Sequence, residues 1–325
     1  MTKQLHLRRT QITGFVMEYL VFVTILVLVI VTAIVQPNFS TAQNFTNLMR
    51  QFGPLSFVAL GMTFIIIGGF IDLSVPGIIS LVAIITLSLV DTIGEVGAML
   101  VGLALGAVMG CLNGVILVVS GASTQAKALF ITFGMSQLYG AAALLYTSGT
   151  SMNRTFINHP MPVTSALGQG MVGFLSLSFV VFLCFLFVLY IFQSRTALGR
   201  SINYTGGNIV AAELSGIPTK RIMVLIYAIC GFMAAVSAIV LFSRVTVTTP
   251  TVGANFERDA IMAVVVGGTS LLGGKGSVLR TMMGVSLVVL MSNCMNLLGV
   301  QTHLQEVLRG LILVTAIWLD HRRHR

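Results

Sequence analysis

The sequence predicts an all-α polytopic membrane protein of about ten transmembrane helices, some broken or short, with both termini cytoplasmic. Three observations carry this. Of 325 residues, 56% are hydrophobic and only 8% are charged, whereas a soluble globular chain carries roughly 25% charged residues. So few charges cannot wet the surface of a soluble enzyme, a disordered regulator or a disulfide-rich secreted module. The apolar residues also suffice for eight to ten helical spans, since each takes about 20 mostly apolar positions. Their continuity excludes a transmembrane β-barrel, whose lumen-facing positions would alternate with polar side chains. Finally, the net charge of +9 is distributed as membrane topology requires. It forms no basic stripe of the kind nucleic acid needs.

Taken in order, the apolar runs cover 18–36, 54–70, 75–90, 97–119, 128–147, 173–193, 222–243, 259–272, 278–299 and 304–319. Lys3, Arg8 and Arg9 precede the first run. That run is longer than a signal-peptide core and no small-x-small cleavage site follows it, so it reads as a retained span. Runs three and eight are short. Gly68-Gly69 separates runs two and three, and Gly267-Gly268 and Gly273-Gly274 punctuate run eight and its exit. Glycine-interrupted runs at membrane depth mark broken helices around transport paths.

Ten alternating spans with an inside N-terminus place Lys3, Arg8, Arg9, Lys127, Arg195, Arg200, Lys220, Arg221, Lys275, Arg280, Arg322, Arg323 and Arg325 in the cytoplasm. The outer segments receive only Arg50, Arg154, Arg244 and Arg258, and Arg309 falls in the last span. This is the positive-inside pattern. A miscounted span would exchange the sides of every charge after it.

The whole chain, 1–325, reads as a single transmembrane domain with two long connections. Residues 148–172, outside, contain Asn153, Asn158, His159, Pro160 and Pro162 and read as a capping loop. In residues 194–221, inside, Gly206-Gly207 predicts a turn, Asn208 an N-cap and Ile209 to Leu214 a short helix. Gly216 ends that helix and Pro218 stops it. A short amphipathic cytoplasmic helix between spans suits docking on a soluble partner. Asn208, Ala211, Ala212, Glu213, Gly216, Ile217 and Pro218 are the candidate coupling residues. Ala211, Ala212 and Gly216 would leave room for a groove on that partner, and Glu213 would meet a basic residue there.

No catalytic constellation emerges. GGKGS at 273–277 lacks the phosphate-loop spacing, because Gly276 follows Lys275 and Thr269 stands six residues before it. If ATP is used, another chain must hydrolyse it. Gly121-Ala122-Ser123 and Gly268-Thr269-Ser270 offer serines, but His6, His159, His303, His321 and His324 all lie in termini or at loop edges. That leaves an intramembrane protease without a base. Cys111, Cys184, Cys230 and Cys294 sit in apolar runs at spacings that suit neither a metal nor a disulfide framework. The expectation is no metal and no cofactor in this chain.

Ionisable and amide groups near spans are functional hypotheses by default. Asp72 lies in the turn GGFIDLSVPG and serves either as an N-cap for run three or in gating or packing. Glu257, Arg258 and Asp259 stand at the outer mouth of run eight, as a solvated face or a vestibule lining. Asn113, Asn293 and Asn296 are intramembrane amides, suited to helix–helix bonding or to contact with a polar solute. Asp72, Asn113, Asp259, Asn293 and Asn296 are therefore the translocation-path candidates. They do not form a proton or sodium relay, which weakens an ion-coupled secondary transporter as the competing class.

Three ordered blocks resemble the ribose-type permeases of bacterial ABC sugar importers. The first is Gly61-Met62-Thr63-Phe64-Ile65-Ile66-Ile67 with Ile71-Asp72-Leu73-Ser74-Val75. The second runs from Arg195 through Leu198-Gly199-Arg200, Gly206-Gly207-Asn208 and Ala211-Ala212 to Ser215-Gly216-Ile217. The third comprises Asp259-Ala260-Ile261, Ala263 through Leu271, Gly273-Gly274, Gly276-Ser277 and Asn296 through Val300. The resemblance implies a permease in the bacterial inner membrane, importing a pentose- or hexose-like sugar by alternating access. It further implies ABC ATPase subunits carrying ATP and Mg, a periplasmic sugar-binding protein and a second permease subunit in a homo- or heterodimer. The nearest alternative is a permease of the same fold for another polar solute, such as a nucleoside, an autoinducer or a branched-chain amino acid. The chain departs from the pattern where Phe70 and Pro76 replace glycines and Arg258 replaces a common leucine. A usual Ile-Pro-Pro-Phe-Ile stretch is also replaced, by Gln125 to Ile131.

Overall fold

The computed structural model describes residue 23, residues 25–122 and residues 124–323, without the side chains of 319–323. Lys3, His6, Arg8, Arg9, the start of the first run, Ser123, and the His321, Arg322, Arg323, His324 and Arg325 side chains lie outside what it describes. The chain is an all-α membrane protein. Among the described residues, six helices are long and apolar enough to cross a membrane.

Two compact units divide the chain. The larger, Met49–Val285, is built around helix α2, Ala42–Ile67. Every residue of α2 from Phe52 onward is buried, as expected of a helix that is hydrophobic on all sides. Its phenylalanines interlock with helix α6, Leu177–Arg195. Phe52 meets Phe179 and Phe182 edge-on, Phe57 meets Phe182 and Phe185, and Phe64 meets Phe192. Edge-to-face rings suit the opposite signs of the aromatic edge and face.

Helix α3 runs through Val75–Val119, 45 residues. At 1.5 Å per residue it would be about 67 Å long if straight, twice the hydrocarbon thickness of roughly 30 Å. It is not straight. Gly94 stands at φ 77°, ψ 165°, a region essentially reserved for glycine. Runs three and four are thus the two arms of one hairpin. A Cβ at Gly102 in the second arm would overlap the Thr86 hydroxyl of the first. Gly106, Gly110 and Gly114 line the second arm against helix α9, Thr219–Arg244, where added Cβ atoms would strike Ala235, Tyr227 and Val224. Small residues at four-residue spacing bring helix backbones together where no hydrophobic driving force operates.

Helix α4, Gln125–Thr147, buries Ala128, Thr132, Met135, Tyr139 and Ala143, one stripe at helical spacing. Residues 148–172 are more structured than their sequence suggests. They hold helix α5, Pro162–Gln169, and a two-residue strand whose Met152 and Asn153 pair with Thr248 and Val247. The Glu95 carboxylate accepts the Val163 N–H at 2.9 Å and the Thr164 N–H. A carboxylate at a helix N-terminus satisfies donors that the helix itself cannot.

Run eight shrinks to helix α10, Phe256–Val266, and residues 267–277 become glycine turns instead of helix. The reason is backbone proximity. A Cβ at Gly284 in helix α11, Val278–Leu297, would overlap the Ala263 carbonyl, and one at Gly267 would sit 2.5 Å from the Arg280 carbonyl.

The smaller unit comprises the segments before and after Met49–Val285. It includes helix α1, Ile25–Val35, and helix α12, Thr302–Arg323. Here Asn44 and Asn293 exchange reciprocal amide bonds at 3.2 and 2.8 Å.

Candidate functional site

The first candidate site is the coupling segment, which contains a helix the sequence reading lacked: α7, Ala197–Gly207. Gly206-Gly207 is its last turn and not a loop. A Cβ at Gly206 would overlap the Ile67 carbonyl oxygen and come within 2.8 Å of the Gly274 nitrogen. The glycine pair serves close approach. Helix α8, Ile209–Leu214, follows at once, and its N-cap Asn208 accepts the Ala211 N–H at 3.0 Å. Its C-terminus closes as the sequence predicts. Gly216 at φ 80° lets its N–H reach the Glu213 carbonyl while the Ile217 N–H reaches Ala212, the paired bonds of a Schellman end. Pro218 then precedes α9.

Ala211 and Glu213 are exposed on α8, and Ala212 is buried, reached only at the wall of the pocket between α7 and α8. The Glu213 carboxylate accepts the Thr219 hydroxyl at 2.6 Å. Exposed apolar surface comes from residues outside the candidate coupling set: Tyr204 at 61%, Val210 at 61% and Leu214 at 86%. A pocket of ≈430 Å³ opens between α7 and α8, lined by Asn203, Tyr204, Asn208, Ala211 and Ile217.

Beneath α8, three chain segments meet backbone to backbone. The Gly274 N–H donates to the Ile67 carbonyl at 2.7 Å. A Cβ at Gly273 would lie 2.6 Å from the Gly206 carbonyl oxygen and 2.8 Å from the Gly69 Cα, and one at Gly274 2.7 Å from the Gly207 Cα. The end of α2, the end of α7 and the GGKGS turn thus share one junction with no side chain between them. All three glycine pairs are visible in the sequence as breaks; their mutual contact is not.

Three residues beyond Gly69 lies the second candidate site. Asp72 is fully buried. Its Oδ1 accepts the Ser74 N–H at 2.8 Å and the Ser74 hydroxyl at 2.6 Å, an Asx turn. The N-cap position of α3 belongs to Ser74, so the N-cap reading of Asp72 is replaced by this turn. From Ser74 the bonds continue: Asn113 Nδ2 donates to Ser74 Oγ at 2.7 Å, and Tyr139 donates its hydroxyl to Asn113 Oδ1 at 2.9 Å. Thr132 Oγ1 accepts the Leu73 N–H at 3.0 Å and the Tyr227 hydroxyl donates to the Ile71 carbonyl at 3.1 Å. Asp72 Oδ2 has no hydrogen-bond partner among the described residues, and the Cys230 thiol faces the same carboxyl. Two path candidates, Asp72 and Asn113, therefore belong to one buried chain joining α3, α4 and α9. The Asp-x-Ser spacing was the available signal for Ser74; nothing in the sequence singles out Tyr139.

The remaining candidates lie elsewhere. Asp259 is part-buried in the first turn of α10, where its N–H donates to the Asn255 carbonyl at 3.2 Å. Beside it Arg258 donates to Asn255 Oδ1 and pairs with Glu257 at 3.7 Å. In the smaller unit Asn293 is held by Asn44, and Asn296 Oδ1 accepts the Gln305 amide at 2.9 Å. Both amides do the helix-to-helix bonding that the sequence reading offered as one of their two roles. Phe70 is buried, and Pro76 occupies the first turn of α3, where a missing N–H costs nothing.

The chain is 32% identical to the ribose import permease protein RbsC of Escherichia coli (strain K12), over 97% of each chain. It is 33% identical to RbsC of Bacillus subtilis (strain 168), over 97% of this chain and 96% of that one. With the xylose transport system permease protein XylH of Escherichia coli (strain K12), identity is 30% over 88% of this chain and 86% of the relative. No solved structure matches the chain. The family model described as branched-chain amino acid transport system / permease component matches residues 44–317, so this multi-pass membrane protein belongs to that family of transport permeases.

Proposed function

We propose that the chain is the membrane subunit of an ATP-driven importer for a pentose- or hexose-like sugar in the bacterial inner membrane. The observation that carries this is the near full-length similarity to ribose permeases. The exposed α7–α8 element adds a docking surface of the kind such a subunit needs. The chain crosses the membrane about ten times with both termini cytoplasmic: the α3 hairpin supplies two spans, and the distribution of Lys and Arg supports the orientation. ATP and Mg bind to partner ATPase chains that grip the α7–α8 element through Tyr204 of α7 and Val210 and Leu214 of α8. A periplasmic sugar-binding protein delivers the solute, and a second permease subunit completes the path.

Within this subunit the proposed mechanism is mechanical. Closure of the ATPases displaces α8; the glycine junction passes the displacement to the end of α2 and the 267–277 turns, because atoms already in contact cannot be compressed. The buried Tyr139–Asn113–Ser74–Asp72 chain, with the Tyr227–Ile71 bond from α9, holds α3, α4 and α9 in register while the path opens. Affinity resides in the external protein, so the path itself needs only weak polar contacts.

A second reading follows from the family description, which names branched-chain amino acids. Proteoliposomes containing the permease, its ATPase and its binding protein separate the two. ATP-dependent uptake of labelled ribose or xylose, with leucine at background, is the expected result. Uptake of leucine alone would establish the second reading.

A further inference from the structure

Helix α4 carries two polar side chains at the middle of its length, Ser136 and Gln137, twelfth and thirteenth of 23 residues. Neither side chain makes a hydrogen bond among the described residues, and Gln137 is exposed. An amide at the centre of an apolar span that faced lipid would lose its bonds to water and gain none, which is costly. The flanking face is otherwise apolar, with Phe130 and Phe133 exposed toward one end. Gln137 therefore needs a polar surrounding that α4 does not itself provide.

The geometry supplies one. Ser136 and Gln137 open into a cleft of ≈270 Å³ between α4, the first turns of α3 and residues 250–254, where Ser80 and Thr251 also contribute to the wall. Ser80 Oγ already accepts the Gly253 N–H at 3.1 Å, which pins the 250–254 loop as a fixed wall. Gly77 brings α3 within contact of α4, since a Cβ there would lie 2.5 Å from the Ser136 carbonyl oxygen. Ligand pockets span roughly 300–1,000 Å³; this cleft falls just under that range, which limits it to a small solute. Its polar atoms, hydroxyls and an amide that both donate and accept, are uncharged. They match a polyhydroxy compound and would leave a carboxylate or ammonium uncompensated. Pro76, one of the departures from the resembling pattern, stands on its wall.

We propose that this cleft is the point in the translocation path where the solute's hydroxyl groups touch the permease, with Gln137 as the principal contact and Ser136 and Thr251 beside it. The proposal rests on the sugar-importer reading and names the contact residues within it.

Two measurements test it. In a variant with its native exposed cysteine replaced, Gln137→Cys in the assembled complex should react with a water-soluble methanethiosulfonate cation, whereas Leu138→Cys, about 100° further round α4, should not. In proteoliposomes, Gln137→Leu should lower ribose uptake at least tenfold, Gln137→Asn should recover part of it, and Leu138→Ala should stay within twofold of the parent. An unreactive Gln137→Cys, as burial of Gln137 against a second copy of the chain would give, overturns the proposal. So does a Gln137→Leu complex that imports at the parental rate. Failure of the sugar-importer reading looks different: the parent complex itself would import neither ribose nor xylose, yet the cysteine labelling would still report whether the cleft is aqueous. If Gln137→Leu fails to assemble, the labelling result alone decides.

Discussion

Replacing Gly206 by alanine is expected to abolish solute-stimulated ATP hydrolysis and uptake together, each by at least tenfold, while Gly207→Ala stays within twofold of the parent. The contrast follows from geometry alone. Both glycines end α7, but a Cβ on Gly206 overlaps the Ile67 carbonyl and crowds the Gly274 nitrogen, whereas one on Gly207 finds its nearest neighbour 4.0 Å away at the Gly274 Cα. The overlapping atoms are backbone, so no rotamer change relieves them. The end of α2 must separate from α7, which disturbs the 2.7 Å bond from Gly274 to Ile67. Overpacking of this kind costs about 1–3 kcal/mol, enough to shift a two-state element without unfolding a protein of this size. ATPase and uptake rates of the two variants in proteoliposomes supply the check. Equal behaviour of Gly206→Ala and Gly207→Ala would mean that the junction transmits nothing.

The second large effect concerns Asp72. Asp72→Ala is expected to destabilise the permease by about 2–4 kcal/mol, because the buried Ser74 N–H and hydroxyl both lose their acceptor and each unmet buried group costs roughly 1–3 kcal/mol. Asp72→Asn keeps an acceptor at Oδ1 and should recover most of that loss. Since Asn113 joins the same chain through Ser74, the Asp72→Ala and Asn113→Ala effects should fall short of additivity, as expected within one hydrogen-bond network. Thermal unfolding in detergent of the parent, the three single variants and the Asp72→Ala/Asn113→Ala double variant supplies the comparison. An Asp72→Asn variant as unstable as Asp72→Ala would show that the charge, not the acceptor, is what the site requires.

Where the sequence was informative, local physics decided the structure. The short helix α8 is legible residue by residue, because an Asn N-cap, a Gly at positive φ and a following Pro act within one turn of the helix. The class of the protein was equally plain, since too few charges exist to wet a soluble surface. Misreadings arose where distant backbones meet. Gly206-Gly207 reads as a turn because glycine usually frees the backbone; here it removes a side chain so that Ile67 and Gly274 can approach. Run eight looked longer than α10 because the hydropathy of 267–272 cannot reveal that Gly267 and Gly284 pack helix against helix there. Asp72 and Asn113, 41 residues apart, were each noticed, but their union through Ser74 and Tyr139 depends on how the α3 hairpin closes on α4. Gln137 went unnoticed for a related reason: one amide in an apolar run is conspicuous only once its face is seen to lack a partner.

The proposed mechanism is that this subunit moves solute only when a partner's ATPase drives the α7–α8 element. Its most direct test measures energisation in proteoliposomes. The complete complex should accumulate labelled ribose or xylose on addition of ATP and Mg²⁺ with no ion gradient present, and vesicles bearing this chain alone should accumulate none under a proton or sodium gradient. Gradient-driven accumulation by the chain alone would contradict the claim and make it an ion-coupled transporter.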